Sequence, residues 1–440
     1  MRRVVLAGSG SGVGKTSIAA GLMLRLGDVQ PFKVGPDFID PMFHALASGR
    51  PSRNLDSFML DPLLMREHFR WAARDADLAL IEGVRGLYDG LTATGDVGST
   101  AEIAKLLDAP VVLVINARSL GKSAAAVALG FKQLDLGVRV AGAILNNVSG
   151  GRHRRKATEA VERLAKVPVL GAVERGSPLP ERHLGLVPAE EQGDLEALRA
   201  GLRALVEEVD LEMLLEIGEE AGPMEPRDAP VLPEGSADIR VAIPRDASFC
   251  FYYPENLEAL ERAGGRLIFF RPTEGERLPE ADLYYLGGGY PEAHLEELAS
   301  NRDFLEGLRT AAEDGKAIYA ECGGLMVLCS AIQAGERRDM AGVFPYVAEL
   351  SSRRQGLSYV RARGTAESPF FAGWEVRGHE FHYSRLVPEP PGPFGFLVKR
   401  GTGIDGRHDG LVQRKVLGCY LHQHALSRLD WGQRMLETAR

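Results

Sequence analysis

Short, nearly unbroken apolar runs recur through the first half of the chain, at residues 4–7, 78–81, 111–115, 140–145 and 169–171, each bounded by Gly, Asp or Pro. Runs of that length without polar alternation suit parallel strands covered on both faces. Helical patterns separate them, which predicts a doubly wound α/β sheet. From Leu195 to about Ile217, leucines three and four apart with a charged opposite face predict one helix. Residues 218–237 lose any period and fill with Pro, Gly and acidic residues, the composition of a linker. Beyond them, apolar runs at 239–243, 266–270, 283–286 and 317–320 open a second α/β alternation. The expected organisation is a first domain at 1–217, a linker at 218–237 and a second domain at 238–440.

Composition narrows the class. The 440 residues are 45% hydrophobic and 25% charged, ordinary for a globular protein. A net charge of −8 argues against non-specific nucleic-acid binding, while leaving room for a local basic pocket. No apolar stretch reaches the roughly 18 residues that span a bilayer. The first residues run straight into a strand and a glycine loop rather than a signal peptide. Four cysteines read as reduced thiols of a cytoplasmic enzyme, with one candidate nucleophile.

The first chemistry lies just after residues 4–7, where Gly8-Ser-Gly-Ser-Gly-Val-Gly-Lys-Thr16 precedes a helical pattern. Strand, glycine loop, Lys-Thr and helix is the context of a phosphate loop. Backbone N–H groups from Gly8, Ser11, Gly12, Val13 and Gly14 would converge on phosphate oxygens at a helix N-terminus. Lys15 would neutralise the β- and γ-phosphates of ATP, and the Thr16 hydroxyl would ligate Mg²⁺. Ser9 stands where the strict spacing places a glycine, so the loop from Gly8 is one residue longer. Glu82 ends the run at 78–81, and Asp37 follows another extended segment; both are candidate Mg²⁺ ligands. Asp89, in Gly-Leu-Tyr-Asp-Gly, reads either as a catalytic acid or as a turn-forming Asp-Gly.

The second chemistry lies at Ala320-Glu-Cys322-Gly-Gly324, a strand, a sharp turn and a helix with cysteine at the apex. Small residues on either side let strand and helix approach, as a nucleophile elbow requires, and the helix N-terminus favours thiolate. The run at 283–286 enters Gly287-Gly-Gly289. N–H groups of Gly288 or Gly289 with that of Gly323 would form an oxyanion hole. His422 is the expected base, with His424 an orienting partner or a substrate contact. Cys250, Cys329 and Cys419 read as small buried hydrophobes.

These motifs, in this order, resemble the tetrapyrrole a,c-diamide synthases, the cobyrinic acid and nickel-sirohydrochlorin enzymes. The resemblance covers nearly the whole chain: residues 30–37, 49–56, 81–84, 182–188, 287–292 and 378–384 all carry family words. The phosphate-loop half also resembles dethiobiotin synthetase. The resemblance implies an N-terminal P-loop sheet plus a C-terminal class I glutamine amidotransferase-like α/β domain. It implies ATP and Mg²⁺ as cofactors, L-glutamine as nitrogen donor and a metal tetrapyrrole carboxylate as acceptor, and leaves a homodimer open. It assigns Asp37 and Asp89 to catalysis and Glu82 to the metal. Asn146 resembles an adenine contact, a turn residue being the alternative. Arg50, Arg53 and Arg85 would clamp substrate carboxylates, whereas the basic run at 152–156 reads as a solvated helix start. Many glutaminases carry His-x-Glu, but this chain reads His422-Gln-His424, so no triad acid is assigned. The words around Asn54, Arg85-Gly-Leu-Tyr88 and Asn116 lean toward the nickel-sirohydrochlorin branch of coenzyme F430 synthesis, with cobyrinate of cobalamin synthesis as the alternative. A P-loop switch ATPase with a degenerate second domain is the reading from another class.

Overall fold

A computed structural model describes every residue except 177, 180, 183, 184 and 187–192, and gives the backbone alone for 181, 182, 185 and 186. Most of the family word at 182–188 therefore lies outside the described residues. The chain divides into two compact units, Met1–Val231 and Leu232–Arg440.

The first unit is built on seven parallel strands: β1 (Arg3–Gly8), β2 (Val29–Val34), β3 (Arg53–Leu55), β4 (Leu78–Glu82), β5 (Val111–Asn116), β6 (Val140–Val148) and β7 (Val169–Glu174). Their order is β3-β2-β4-β1-β5-β6-β7. Helices α1 (Lys15–Leu26), α2 (Ile39–Ser48), α3 (Pro62–Ala72), α4 (Thr100–Leu106), α5 (Ser123–Leu134) and α6 (Gly150–Ala160) fall between the strands. The five apolar runs of the first half are all strands, and β1 is buried along its whole length. Glu181–Arg182 (β8) and Gly185–Leu186 (β9) form a small antiparallel ribbon.

The single helix expected from Leu195 is two, α7 (Leu195–Leu205) and α8 (Leu211–Glu219). The leucine period continues across the break, but Asp210 accepts a hydrogen bond from the Met213 N–H and starts a second helix. Aspartate is stronger as an N-cap than in a helix interior, and here it decides the boundary.

The second unit holds a ten-stranded sheet. Its parallel part is β11 (Gly265–Phe270), β10 (Ile239–Pro244), β12 (Leu283–Leu286), β13 (Ala317–Glu321) and β22 (Val416–Cys419). It continues antiparallel through β21 (His408–Gln413), β20 (Phe394–Arg400), β17 (Gly356–Gly364), β18 (Glu375–His382) and β23 (His422–Gln423). A four-stranded sheet adds β15 (Glu336–Asp339), β14 (Cys329–Ala334), β16 (Phe344–Leu350) and β19 (Ser384–Val387). The helices are α9 (Pro254–Arg262), α10 (Leu295–Ser300), α11 (Arg302–Glu313), α12 (Gly323–Leu328) and α13 (Trp431–Thr438). The strands β22 and β23 are only two residues apart in sequence, yet β22 pairs with β13 and β23 with β18. The chain therefore carries His422 from the end of the parallel strands onto the antiparallel arm.

Candidate active site

In the first unit the glycine loop joins β1 to α1. Gly12 and Gly14 adopt positive φ (68° and 90°), so successive N–H groups can face one concavity. A Cβ on Gly14 would collide with the Asn146 amide, whose Nδ2 donates to the Val13 carbonyl at 2.8 Å. The ends of β2, β4 and β1 lie side by side, with Lys33 in register with Glu82 and Glu82 with Leu6. This is the carboxyl edge, where parallel sheets bind ligands.

A cavity of about 550 Å³ opens there. Its walls include Lys15, Thr16, Lys33, Asp37, Asp40 and Glu82. Buried Glu82 is the hub: its Oε1 accepts from the Thr16 hydroxyl at 2.9 Å, and its Oε2 meets His44 Nε2 at 2.6 Å. The other ring nitrogen of His44 faces Ser52 Oγ at 3.0 Å. Lys33, 2% exposed, bridges Asp40 (3.2 Å) and Glu82 (3.8 Å). Burial opposes ionisation of Glu82, but Lys33, the His44 hydrogen bond and Lys15 together bring its carboxyl down to about 2. Asp40 is pushed the other way, up, by burial and by the neighbouring Asp37 and Glu82. Burial lowers Lys15, with Glu82 pulling against it. Lys15 Nζ donates to the Arg85 carbonyl at 2.7 Å. The result is a cationic anchor beside closely packed buried carboxyls, suited to phosphate chemistry.

In the second unit Cys322 stands between β13 and α12 with φ 48° and ψ −98°, a backbone conformation uncommon outside glycine. The tight turn needs Gly324, where a Cβ would lie 2.5 Å from the Leu286 carbonyl oxygen. Gly289 could carry no side chain either, because a Cβ would strike Ser248 O. A Cβ on Gly323 would stand 3.1 Å from Gly289 N, so the two predicted oxyanion donors are neighbours. His422 packs against the same loop, its Cε1 2.7 Å from where a Gly288 Cβ would be. Its partner is Glu321, whose Oε2 lies 3.1 Å from His422 Nδ1. Burial pushes the Cys322 thiol well above its ordinary range, and the nearby Glu292 adds to the effect. A thiol held protonated needs a base at the moment of attack, and the His422 imidazole lies against the same glycine loop as the elbow.

Both units match known families. Residues 4–186 match the CobQ/CobB/MinD/ParA nucleotide binding domain, and residues 240–429 the CobB/CobQ-like glutamine amidotransferase domain. The cobyrinate a,c-diamide synthase of Methanosphaera stadtmanae is 45% identical over 100% of this chain and 99% of its own. That of Methanothermobacter thermautotrophicus is 47% identical over 97% and 96%. The chain belongs to the tetrapyrrole a,c-diamide synthase family. As an a,c-diamide synthase it is a glutamine-hydrolysing carbon–nitrogen ligase that uses ATP.

The a,c-diamide synthase fold corrects several expectations. Arg50 does not reach the cavity: it pairs with Asp28 at 2.5 Å and donates to the Asp75 carbonyl. Arg53 is buried with its guanidinium 5.1 Å over the Trp71 ring. Asp28 precedes β2 and Asp75 precedes β4, and Arg53 is the first residue of β3. Arg50 is thus held at the amino edge, whereas Arg53 is level with Phe32, one residue short of Lys33, and is kept from the cavity lining by its stacking on Trp71, which the sequence word at 49–56 could not reveal. Arg85 does line the cavity. Asp89 is exposed and lies outside the lining; its carboxylate accepts from the Gly86 N–H at 2.9 Å, the turn role. Asp37 lines the cavity and also accepts from the Ile39 N–H at 2.8 Å, at the start of α2. His424 is no substrate contact: fully buried, it lies 3.4 Å from Glu255 and accepts from the Leu426 N–H. Cys329 and Cys419 are buried as expected, but Cys250 is only half-buried.

Sequence reading missed Lys33, Asp40, His44 and Glu321. Lys33 carried a signal, a charge inside a strand buried throughout. Asp40 and His44 are four apart on α2 and so share a helix face.

Burial raises the Glu292 carboxyl to about 7, so it is neutral in mild acid and anionic above that. The anion disfavours the Cys322 thiolate. Glu292→Gln is expected to speed iodoacetamide alkylation of Cys322 at pH 8 by about three- to tenfold, with little difference at pH 5.5. Peptide mass spectrometry quantifies it; equal rates at pH 8 would remove Glu292 from the thiol's field.

Proposed function

We propose that this a,c-diamide synthase amidates the a and c acetate side chains of cobyrinate. Lys15, Thr16 and Glu82 line one cavity, and His422 and the glycine that follows Cys322 border one glycine loop in the same chain; this supports the reading. The named substrate of the full-length relatives supports cobyrinate. Nickel-sirohydrochlorin is the second reading, favoured by Arg85-Gly-Leu-Tyr88 in the loop that borders the cavity.

A carboxylate and an amine exchange a proton at neutral pH instead of condensing, so the acid must be activated. An acetate oxygen of the substrate attacks the γ-phosphorus of ATP, and ADP leaves. Lys15 neutralises the phosphates, and the glycine-loop N–H groups orient them. Arg85 binds a substrate carboxylate at the cavity wall. Asn146 holds Val13 and so shapes the loop. Asp89 holds the 86–89 turn next to Arg85.

Mg²⁺ is the proposed counter-ion of ATP. Thr16, ionised Glu82 and Asp37 offer the oxygen donors that this hard ion takes, and they share one cavity wall. Bound there, it would screen phosphate charge.

In the second unit His422 takes the Cys322 proton as sulfur attacks the glutamine amide carbon. The oxyanion is held by the N–H groups of Gly323 and Gly289. Ammonia leaves with the proton from His422, and water hydrolyses the thioester to glutamate. Ammonia displaces phosphate from the acyl phosphate, once for each side chain.

Purified protein should be incubated with ATP, Mg²⁺, glutamine and either cobyrinate or nickel-sirohydrochlorin, and the product weighed. Replacement of two hydroxyls by two amino groups on cobyrinate is the expected result. Diamidation of nickel-sirohydrochlorin alone would establish the second reading, and neither product would overturn both.

A further inference from the structure

The base lacks the glutamate that many glutaminases carry two residues after their histidine, because that position is His424. His424 is committed elsewhere, to Glu255 and the Leu426 N–H. A carboxylate nevertheless reaches the base from another part of the chain. Glu321 is the last residue of β13, immediately before the nucleophile, and its Oε2 lies 3.1 Å from His422 Nδ1. The pair is buried, with side-chain exposures of 2% for His422 and 1% for Glu321.

The carboxylate is itself held. Its Oε1 accepts from the Tyr319 hydroxyl at 2.8 Å and from the Gln423 N–H at 3.3 Å. The Gln423 side chain donates to the same Tyr319 hydroxyl at 2.9 Å. Strand pairing sets up the encounter: Glu321 is in register with Cys419 of β22, and the chain turns from there into His422. One oxygen is anchored by two donors, which leaves the other aimed at the imidazole.

We infer that Glu321 is the positioning residue for His422, doing from the nucleophile's own strand what the absent glutamate does elsewhere. This rests on the reading of His422 as the base. A carboxylate at Nδ1 keeps the proton on that nitrogen and leaves Nε2 with the lone pair needed to take a thiol proton. It also stabilises the imidazolium that forms during attack. No bond to Glu321 is made or broken, and its proton inventory is unchanged through the cycle.

Glu321→Gln tests this. The amide has nearly the same shape, and its oxygen can still accept from Tyr319 and Gln423. Its NH₂ would instead donate to Nδ1, which places the ring proton on Nε2 and removes the base. Glutaminase kcat should fall roughly 10²- to 10⁴-fold with KM for glutamine changed little. Glu321→Asp should recover part of the loss. Nitrogen-15 NMR of labelled histidine should report an Nδ1–H tautomer for His422 in the wild type and Nε2–H in Glu321→Gln.

Amidation fed with ammonium salts, and the thermal midpoint, should stay near wild type in Glu321→Gln. A glutaminase rate within about threefold of wild type, an unchanged tautomer, or an equal loss with ammonia would overturn the inference and leave Glu321 a packing residue. Undiminished glutaminase in His422→Ala would instead overturn the base assignment itself, so the two failures are distinguishable.

Discussion

Cys322→Ala is expected to abolish amidation from glutamine while leaving amidation from ammonium salts close to the wild-type rate. The thiol is the only group placed at the elbow apex, where the backbone is held at φ 48° and the adjacent glycine loop and α12 N-terminus converge. No neighbouring hydroxyl or amine of the described elbow, residues 320–324, could replace it, so a loss of glutaminase on the order of 10⁴-fold or more is expected. The substitution removes one sulfur from a largely buried position and leaves the glycine contacts alone, so the fold should persist. Glutamate release from glutamine and product formation from ammonia are measured separately. Parallel loss of both would show that the thiol does more than liberate nitrogen.

Lys15→Ala should have the complementary pattern: amidation lost with glutamine and with ammonia alike, by roughly 10²- to 10⁴-fold. Lys15 is 7% exposed at the first turn of α1 and is directed toward the carbonyls of Arg85 and Gly10. Burial works against its charge and Glu82 supports it, so phosphate oxygens would add the anionic partner that the site is poised to receive. The readout is product formed from ammonia, ATP and tetrapyrrole, with the thermal midpoint as a folding control. A folded Lys15→Ala protein that amidates at more than about a tenth of the wild-type rate would show that phosphate neutralisation lies elsewhere.

The two variants together separate activation of the acid from supply of nitrogen. Neither result depends on which tetrapyrrole is the acceptor, provided the substrate used is one the wild type converts.

Much of this was legible along the chain. The apolar runs gave the parallel strands because a strand covered on both faces has no polar positions to spare. The phosphate loop and the cysteine elbow are local devices whose glycines are required by backbone geometry within a few residues, so their spacing alone displays them. The antiparallel arm formed by β17, β18, β20 and β21 was not legible, since its strands mix buried and exposed positions, carry mixed residues and pair with partners far away.

Tertiary structure decided what surrounds each reactive group. Lys33, Asp40, His44 and Glu82 come from two strands and a helix, and only the sheet order brings β2 beside β4. Glu321 and His422 are 101 positions apart and meet because β13 pairs with β22. Arg50 and Arg53 looked like substrate clamps, but Arg50 is tied to Asp28 and Asp75 at the amino edge and Arg53 stacks on Trp71, so neither lines the cavity. A sequence shows which groups can ionise or attack; burial and distance set their charge and their partners, and those exist only once strands have been ordered into a sheet.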